Sequence, residues 1–186
     1  MKQEHIYNRN KTRSFLKKLN EKKSLKKIFF YLKKRHWALS CAESCTGGLL
    51  SFIITSKPGA SDIFQGGVVA YSNEIKESFL GVSKETLRRF GAVSGDAVEE
   101  MALGALRMFR SDVSVSISGI AGPSGASREK PLGLIWIAVC IGSSAERFSF
   151  HFGGNRKRIR HMAARAALYL TAEKLGSLVR KNTGTA

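Results

Sequence analysis

The sequence has few cysteines, no long hydrophobic run and few acidic residues. Its three cysteines are an odd number, which argues against a disulfide framework, and they show no metal-ligand spacing with the four histidines. The longest apolar run extends from Leu134 to Ile141, far short of the roughly 18 residues that a membrane-spanning helix needs. These shortages predict a soluble protein of the reducing cytoplasm, without a membrane partner or a bound metal.

Acidic residues number 14 against 31 lysines and arginines, which gives a net charge of +17. Residues 1–35 carry 13 of the basic residues and only two acidic ones. We interpret residues 1–20 as a basic arm, which is either a solvated tail or a segment that binds RNA or lipid. A targeting peptide is not favoured, because no apolar segment followed by a small-residue cleavage site is present.

Hydrophobic periodicity predicts one domain over residues 21–186, without an internal repeat. Strands are predicted at Trp37–Cys41, Phe64–Tyr71, Val113–Ser118, Leu134–Ile141 and Arg147–Phe152. Helices are predicted at 21–35, Leu49–Thr55, Glu74–Leu80, from Ser83 to Gly91, after Ser94, and from Asn155 to Val179. Strands interleaved with helices in this way predict a three-layer α/β/α sandwich with a mixed, mostly parallel five-stranded sheet.

Small and hydroxylated residues recur in three loops that follow predicted strands, at 43–48, 71–76 and 119–123. Ligands of open α/β sheets bind in the crevice beyond the strand ends. In the first loop Ser44 and Thr46 precede two glycines and a helix, so that free backbone amides could hold a phosphate or an oxyanion. The alternative is ordinary helix capping by a hydroxyl.

A serine nucleophile needs a base, and Lys76 is the best candidate for it. A lysine that is buried among apolar groups loses its proton more easily and becomes a competent base. The four histidines are scattered, and the sequence contains no GxSxG nucleophile elbow. The alternative for Lys76 is a solvent-facing lysine on a short helix.

The third loop and the last helix could complete a ligand site. Gly119 and Gly122 permit close approach of a ring or a phosphate, and Ala121 keeps the wall small, although Pro123 is also compatible with a plain tight turn. Cations are unfavourable at the start of a helix unless they face an anion or point into water. Four of them stand there: Arg156, Lys157, Arg158 and Arg160.

Read together, these segments resemble the CinA C-terminal domain family. The resemblance rests on AESCTGG (Ala42–Gly48), GGVVAYSNEIK (Gly66–Lys76), GAVS (Gly91–Ser94), SGIAGPSG (Ser118–Gly125) and EKPLGLIWIA (Glu129–Ala138). It continues through Arg156 and covers roughly residues 22–180. Many members carry a larger molybdopterin-binding-like domain before this one, so the sequence resembles the stand-alone short form.

The resemblance implies hydrolysis of the carboxamide of nicotinamide mononucleotide to nicotinate mononucleotide and ammonia. It implies Ser44 as nucleophile, Lys76 as general base and Tyr71 as an assisting hydroxyl, with no organic cofactor and often a homo-oligomer. The other residues expected to contact this pyridine nucleotide are Glu43, Thr46, Gly47, Gly48, Asn73, Gly119, Ala121, Gly122 and Arg156.

Two other classes of function stay open at the level of sequence. The first is a nucleotide-binding module without catalysis, against which the presence of Ser44, Tyr71 and Lys76 argues. The second is a protein that associates with DNA or RNA through the basic arm, an idea prompted by the family's historical link to competence.

Overall fold

A six-stranded mixed sheet forms the middle of the molecule. The computed structural model describes residues 3–182, with the side chains of residues 3–8 and 10–178. The strands are β1 (Gln3–Ile6), β2 (Leu39–Glu43), β3 (Phe64–Val69), β4 (Val113–Gly119), β5 (Leu134–Ile141) and β6 (Ser144–His151). Their order is β1-β6-β5-β4-β2-β3. β5 runs antiparallel to β4 and β6, and the other neighbouring pairs are parallel.

Helices cover both faces of this sheet. They are α1 (Arg9–Leu16), α2 (Glu21–Arg35), α3 (Leu49–Thr55), α4 (Asn73–Leu80), α5 (Lys84–Phe90), α6 (Gly95–Phe109) and α7 (Arg156–Asn182), with a 3-10 turn at Ala60–Asp62. Along β5, Ile135 and Ile137 belong to the large core under α2, α3 and α7. Ala138 and Cys140 pack instead against α6 on the opposite face. The predicted three-layer α/β/α sandwich is therefore confirmed.

The sheet has six strands and not the five that we predicted. The additional strand, β1, belongs to the basic segment that the sequence analysis interprets as an arm, and it pairs in parallel with β6. The carboxylate of Glu4 forms an ion pair with Arg147, with 2.8 Å between Oε2 and Nη2. Because β1 has four exposed residues and no apolar alternation, only these long-range contacts define it. Residues 1–2 and 183–186, the ends of the predicted arm and domain, lie outside the described residues.

The limits of the predicted helices follow the sequence closely, whereas α1 lies in the predicted arm and was not predicted. Two strands are displaced, and one of them, β6, begins three residues and ends one residue earlier than predicted. α2, α3 and β5 have the predicted bounds. β2 begins and ends two residues later than predicted, because Ala42 and Glu43 still pair with both neighbouring strands. This shift brings the end of β2 directly to Ser44. Among residues 3–182, no helix combines the length and the hydropathy needed to cross a membrane.

The polar face of β4 is buried under α6 and not solvated. Ser114 and Ser116 donate hydrogen bonds of 2.6 and 2.5 Å to the carbonyls of Ala102 and Val98 in α6. Ser118 donates to the carbonyl of Ala92 at 2.7 Å. Since each buried hydroxyl has a partner, the alternation of serine and aliphatic residues fits a strand covered on both sides.

Candidate active site

Three loops meet at one edge of the sheet. β4, β2 and β3 are parallel neighbours, so their carboxyl ends lie side by side. The loop after β2 contains Ser44, the segment after β3 leads through Tyr71 into α4, and the loop after β4 contains Gly122. The three loops singled out in the sequence are thus brought together where α/β sheets bind ligands.

The hydroxyl of Ser44 lies next to the amine of Lys76. The distance from Lys76 Nζ to Ser44 Oγ is 3.3 Å. Ser44 is 9% exposed and Lys76 only 1%, which makes Lys76 one of the largest fully buried side chains. The solvent-facing alternative for this lysine is therefore wrong, and a proton can pass directly between the two groups.

Burial lowers the pKa of Lys76 below its ordinary value of 10.5. Backbone carbonyls hold the amine in place, with Ala70 O at 2.8 Å and the carbonyls of Tyr71 and Ser72 each at 3.4 Å. A Cys45 thiolate would oppose this shift, but burial raises the pKa of that thiol to about 12. Because Cys45 is neutral near pH 7, desolvation dominates at Lys76.

The backbone of the Ser44 loop depends on two glycines. Gly47 and Gly48 have φ angles of 59° and 89°, a left-handed conformation in which a side chain causes strain. The amide of Gly47 donates to the Ser44 carbonyl at 3.0 Å, and the Ser44 amide donates to Ile117 O at 2.9 Å. The turn thereby fixes the nucleophile candidate between β2 and α3.

Glu43 has a different position from the one we expected. Its carboxylate lies beneath the loop, accepting hydrogen bonds from the Leu50 amide at 3.0 Å and from the amide and hydroxyl of Ser51 at 2.8 and 2.7 Å. The expectation that these first α3 amides are free for a ligand is thus wrong, because a buried carboxylate occupies them. The amides of Thr46 and Gly48, by contrast, donate to no described residue.

Arg156 joins the second and third loops. It donates from Nη1 to the Gly122 carbonyl at 2.6 Å and from Nη2 to the Tyr71 hydroxyl at 2.9 Å. The Tyr71 side chain is 60% exposed, at the mouth of the site. Tyr71 touches Lys76 through its carbonyl, and none of the described hydrogen bonds joins its hydroxyl to Lys76 or Ser44.

The four basic residues at the start of α7 divide into two pairs. Arg156 and Arg160 face the loops, and Arg160 Nη2 donates to the Thr46 carbonyl at 2.5 Å. Lys157 and Arg158 line a cleft beside α1. The sequence named Arg160 as one of four basic residues at this helix start without ranking them, and its position four residues after Arg156 puts both on one helix face. Arg160 Nε and the fully buried Thr46 Oγ1 have no hydrogen-bond partner among the described residues.

The remaining expected contacts are mostly structural. A Cβ at Gly119 would lie 2.3 Å from Ile135 Cδ1, so this glycine is required for packing against β5. The predicted approach of a ligand ring to this glycine stays a prediction. Ala121 is buried behind the loop, and Asn73 is exposed at the first residue of α4. Within the described part of the chain, no group of three or more His, Cys, Asp or Glu side chains could hold a metal ion.

A family model and curated relatives match the part of the chain that contains these three loops. A family model for the CinA C-terminal domain matches residues 21–175. A CinA-like protein of Fervidobacterium nodosum is 49% identical over 142 residues, which are 76% of this chain and 35% of that protein. A putative competence-damage inducible protein of Caldicellulosiruptor saccharolyticus is 50% identical over 70% of this chain and 32% of its own length. The chain thus spans about a third of the length of these relatives.

Solved structures match the chain over nearly their whole length. A competence-damaged protein (CinA) superfamily protein from Klebsiella pneumoniae superposes with a TM-score of 0.81 at 34% identity, covering 85% of this chain and 99% of that one. A competence/damage inducible protein from Agrobacterium tumefaciens gives a TM-score of 0.80 at 36% identity, covering 84% and 95%.

Proposed function

Because the chain belongs to the CinA C-terminal domain family, we propose that it hydrolyses the carboxamide of nicotinamide mononucleotide to nicotinate mononucleotide and ammonia. The observation that carries this proposal is the fully buried Lys76 amine 3.3 Å from the Ser44 hydroxyl. A neutral amine at this distance is a general base for a serine nucleophile. The family resemblance supplies the substrate.

The first half of the reaction forms an acyl-enzyme. With Lys76 neutral, the Ser44 hydroxyl donates its proton to Nζ while Oγ attacks the carboxamide carbon. The Lys76 ammonium then gives this proton to the amide nitrogen, the C–N bond breaks and ammonia leaves. The three carbonyls around Nζ stabilise the transient ammonium, because an ammonium has three protons to donate.

The negative oxygen of the tetrahedral intermediate needs hydrogen-bond donors. The amides of Thr46 and Gly48 make no hydrogen bond to other described residues, and they lie in the turn that carries Ser44. We assign them the role of oxyanion donors. The α3 amides cannot serve, since Glu43 occupies them.

The second half of the reaction returns the enzyme to its starting state. Water attacks the acyl carbon, Lys76 accepts a proton from this water, and the bond from the acyl carbon to Ser44 Oγ breaks as the proton returns to Oγ. The only co-reactant is water.

Arg156 and Tyr71 are suited to hold the substrate at the mouth of the site. None of the ion pairs among the described residues involves Arg156, so its positive charge is available to the nucleotide phosphate. Tyr71 accepts a hydrogen bond from Arg156, which leaves its own proton for the ribose, the phosphate or the departing nitrogen.

The test is incubation of purified protein with nicotinamide mononucleotide, with mass detection of the acid and quantification of ammonia. We expect one ammonia per nucleotide and a fall of about 10²–10⁴-fold in Lys76→Met, the range typical for loss of a general base. Ser44→Ala should lose at least as much activity, because it removes the nucleophile that forms the acyl-enzyme. Ser78→Ala and Lys84→Met, both exposed, are the matched controls and should keep wild-type activity. Near wild-type turnover in Ser44→Ala would refute the proposal, and circular dichroism checks that each variant is folded.

A further inference from the structure

A second concave surface lies beside β1, whereas Ser44 follows β2, with β6, β5 and β4 between these two strands. β3 forms one edge and β1 the other. Beside β1, two clefts of about 440 Å³ and about 260 Å³ adjoin each other, since Lys18, Tyr169 and Glu173 line both. Their walls come from the β1–β6 edge, from α1, from the start of α2 and from α7. We call this continuous surface the N-terminal cleft.

The N-terminal cleft has an excess of positive charge. Five lysines line it, namely Lys11, Lys18, Lys23, Lys27 and Lys174, against the single carboxylate of Glu173. Lys27 pairs with Glu173 at 2.7 Å, and Lys174 pairs with Glu146 beside the cleft. The other three lysines take part in no ion pair between described residues. Like charges that share one cleft repel each other, and a bound anion removes this repulsion.

Two tyrosines add uncharged donors to the same cleft. Tyr7 and Tyr169 both line it, and their rings pack edge-on against Phe15 at 5.3 and 5.2 Å. Their hydroxyls make no hydrogen bond to another described residue. Burial raises the pKa of both phenols, so each keeps its proton at neutral pH and can donate it to an anionic oxygen.

This surface is separate from the family's site. The CinA family match begins at residue 21, whereas Tyr7, Lys11 and Lys18, which lie in or next to β1 and α1, precede it. The deamidation chemistry proposed above uses no residue of the cleft.

We propose that the N-terminal cleft binds a small ligand with adjoining phosphoryl groups, of the nucleoside diphosphate or inorganic pyrophosphate class. Three unpaired ammonium groups favour a ligand with more than one negative charge, which two linked phosphoryl groups supply. The volume of the larger cleft lies within the range of small-molecule sites, about 300–1,000 Å³. The lysines line a concave surface, a shape that suits a compact ligand more than an extended duplex or a flat membrane.

The experiment is calorimetric titration of the full chain with pyrophosphate and with ADP, with adenosine as the uncharged comparison. The variants are Lys18→Ala/Lys23→Ala within the cleft and Lys17→Ala/Lys22→Ala as controls, which remove the same charge from exposed residues that line neither cleft. We expect saturable binding of both anions and none of adenosine. The cleft variant should lose at least about tenfold in affinity, as expected for contacts to a charged group, and the control less than twofold.

Several outcomes would overturn the proposal. One is the absence of saturable pyrophosphate binding at physiological salt. Another is an equal loss of pyrophosphate affinity in the cleft variant and in the control variant. A third is tighter binding of a single-stranded oligonucleotide or an anionic vesicle than of pyrophosphate, when both double variants weaken that binding equally. Binding at the Ser44 site is distinguished by Arg156→Ala, which should leave pyrophosphate affinity unchanged if the cleft is the site.

Discussion

A lysine that is 1% exposed is costly, because an ammonium loses its hydration when it is buried. The folded protein lowers the pKa of Lys76, so the unfolded chain binds more protons between that lowered value and 10.5. The free energy of unfolding therefore rises with pH across this window and is lower below it. A residue that reduces stability at neutral pH while it touches a serine hydroxyl fits a functional role better than a structural one.

The neighbouring thiol of Cys45 is the rival nucleophile, and we expect it to be inert. Burial raises its pKa to about 12, so almost no thiolate is present at neutral pH. Cys45→Ala should retain deamidation activity within about threefold, and iodoacetamide at pH 8 should not inactivate the wild-type protein. Product formation before and after alkylation measures this. Loss of activity in Cys45→Ala with an intact fold would argue for cysteine chemistry.

Arg160 is expected to act through the loop of Ser44 and not on the substrate. It donates to the Thr46 carbonyl, and its guanidinium lies 3.2 Å from where a Cβ of Gly47 would stand. Arg160→Met removes a hydrogen bond to a charged group, worth about 1.5–3 kcal/mol, so kcat should fall about tenfold or more with KM little changed. Arg158→Met, on the side of α1, is the control. A change confined to KM would instead indicate substrate contact.

At the scale of elements, Glu43 connects β2 to α3. Its carboxylate accepts the amides of Leu50 and Ser51, which are otherwise unpaired at a helix start. We expect Glu43→Ala to lower the free energy of unfolding by about 1.5–3 kcal/mol, measured by urea denaturation. Glu74→Ala, an exposed acidic residue in the first turn of α4, should change it by less than about 0.5 kcal/mol. Equal decreases in the free energy of unfolding for the two variants would show that the Glu43 carboxylate does not specifically stabilise the start of α3.

The elements differ in how far the sequence predicts them. α2 and α3 have the predicted bounds because an apolar period and a capping or glycine signal are local features. β1 and the cap formed by Glu43 were not predictable in this way. β1 depends on pairing with β6, which is far along the chain, and the cap depends on a carboxylate that lies beneath the Ser44 loop. No pattern within either segment encodes these contacts.

The residues of the candidate site also differ in how far the sequence predicts them. The Ser44 and Lys76 pair was predicted from a motif, and the structure brings the two side chains together. The close packing of Gly119 against Ile135 was not predicted, because a glycine that fits beneath a side chain looks the same in sequence as one that admits a ligand. Arg160 could not be distinguished from the three neighbouring basic residues, because its partner is a backbone carbonyl, which leaves no trace in the sequence.

At the scale of the whole molecule, the basic N-terminal segment is joined to the sheet through a few contacts. Arg147 is 9% exposed and pairs with Glu4 and Asp96, each at 2.8 Å. Because Glu4 is partly exposed, its pair with Arg147 contributes up to about 1 kcal/mol. Glu4→Ala should therefore speed hydrogen exchange at the Tyr7 amide, which donates to Ser149 O, up to about fivefold.

The control for that measurement is Gln3→Ala, at an exposed position of the same strand. Amides of β2 and β4 should exchange at the wild-type rate in both variants, since local opening leaves the sheet centre intact. Unchanged exchange at Tyr7 in Glu4→Ala would mean that strand pairing with β6 and aromatic packing hold the segment without this ion pair.

The candidate chemistry lies at the carboxyl ends of β2, β3 and β4, whereas the N-terminal cleft lies beside β1. A phosphorylated ligand at the N-terminal cleft and a pyridine nucleotide near Ser44 would bind at separate places on the molecule. The two proposals can be tested separately, because the residues involved do not overlap.

The pH dependence of kcat/KM for conversion of nicotinamide mononucleotide tests the account most directly. If neutral Lys76 takes the proton of Ser44, the rate should rise with pH and level off at the pKa of Lys76, which burial holds below 10.5. A rate that is independent of pH, or one that falls as Lys76 loses its proton, would contradict the assignment of this amine as the base.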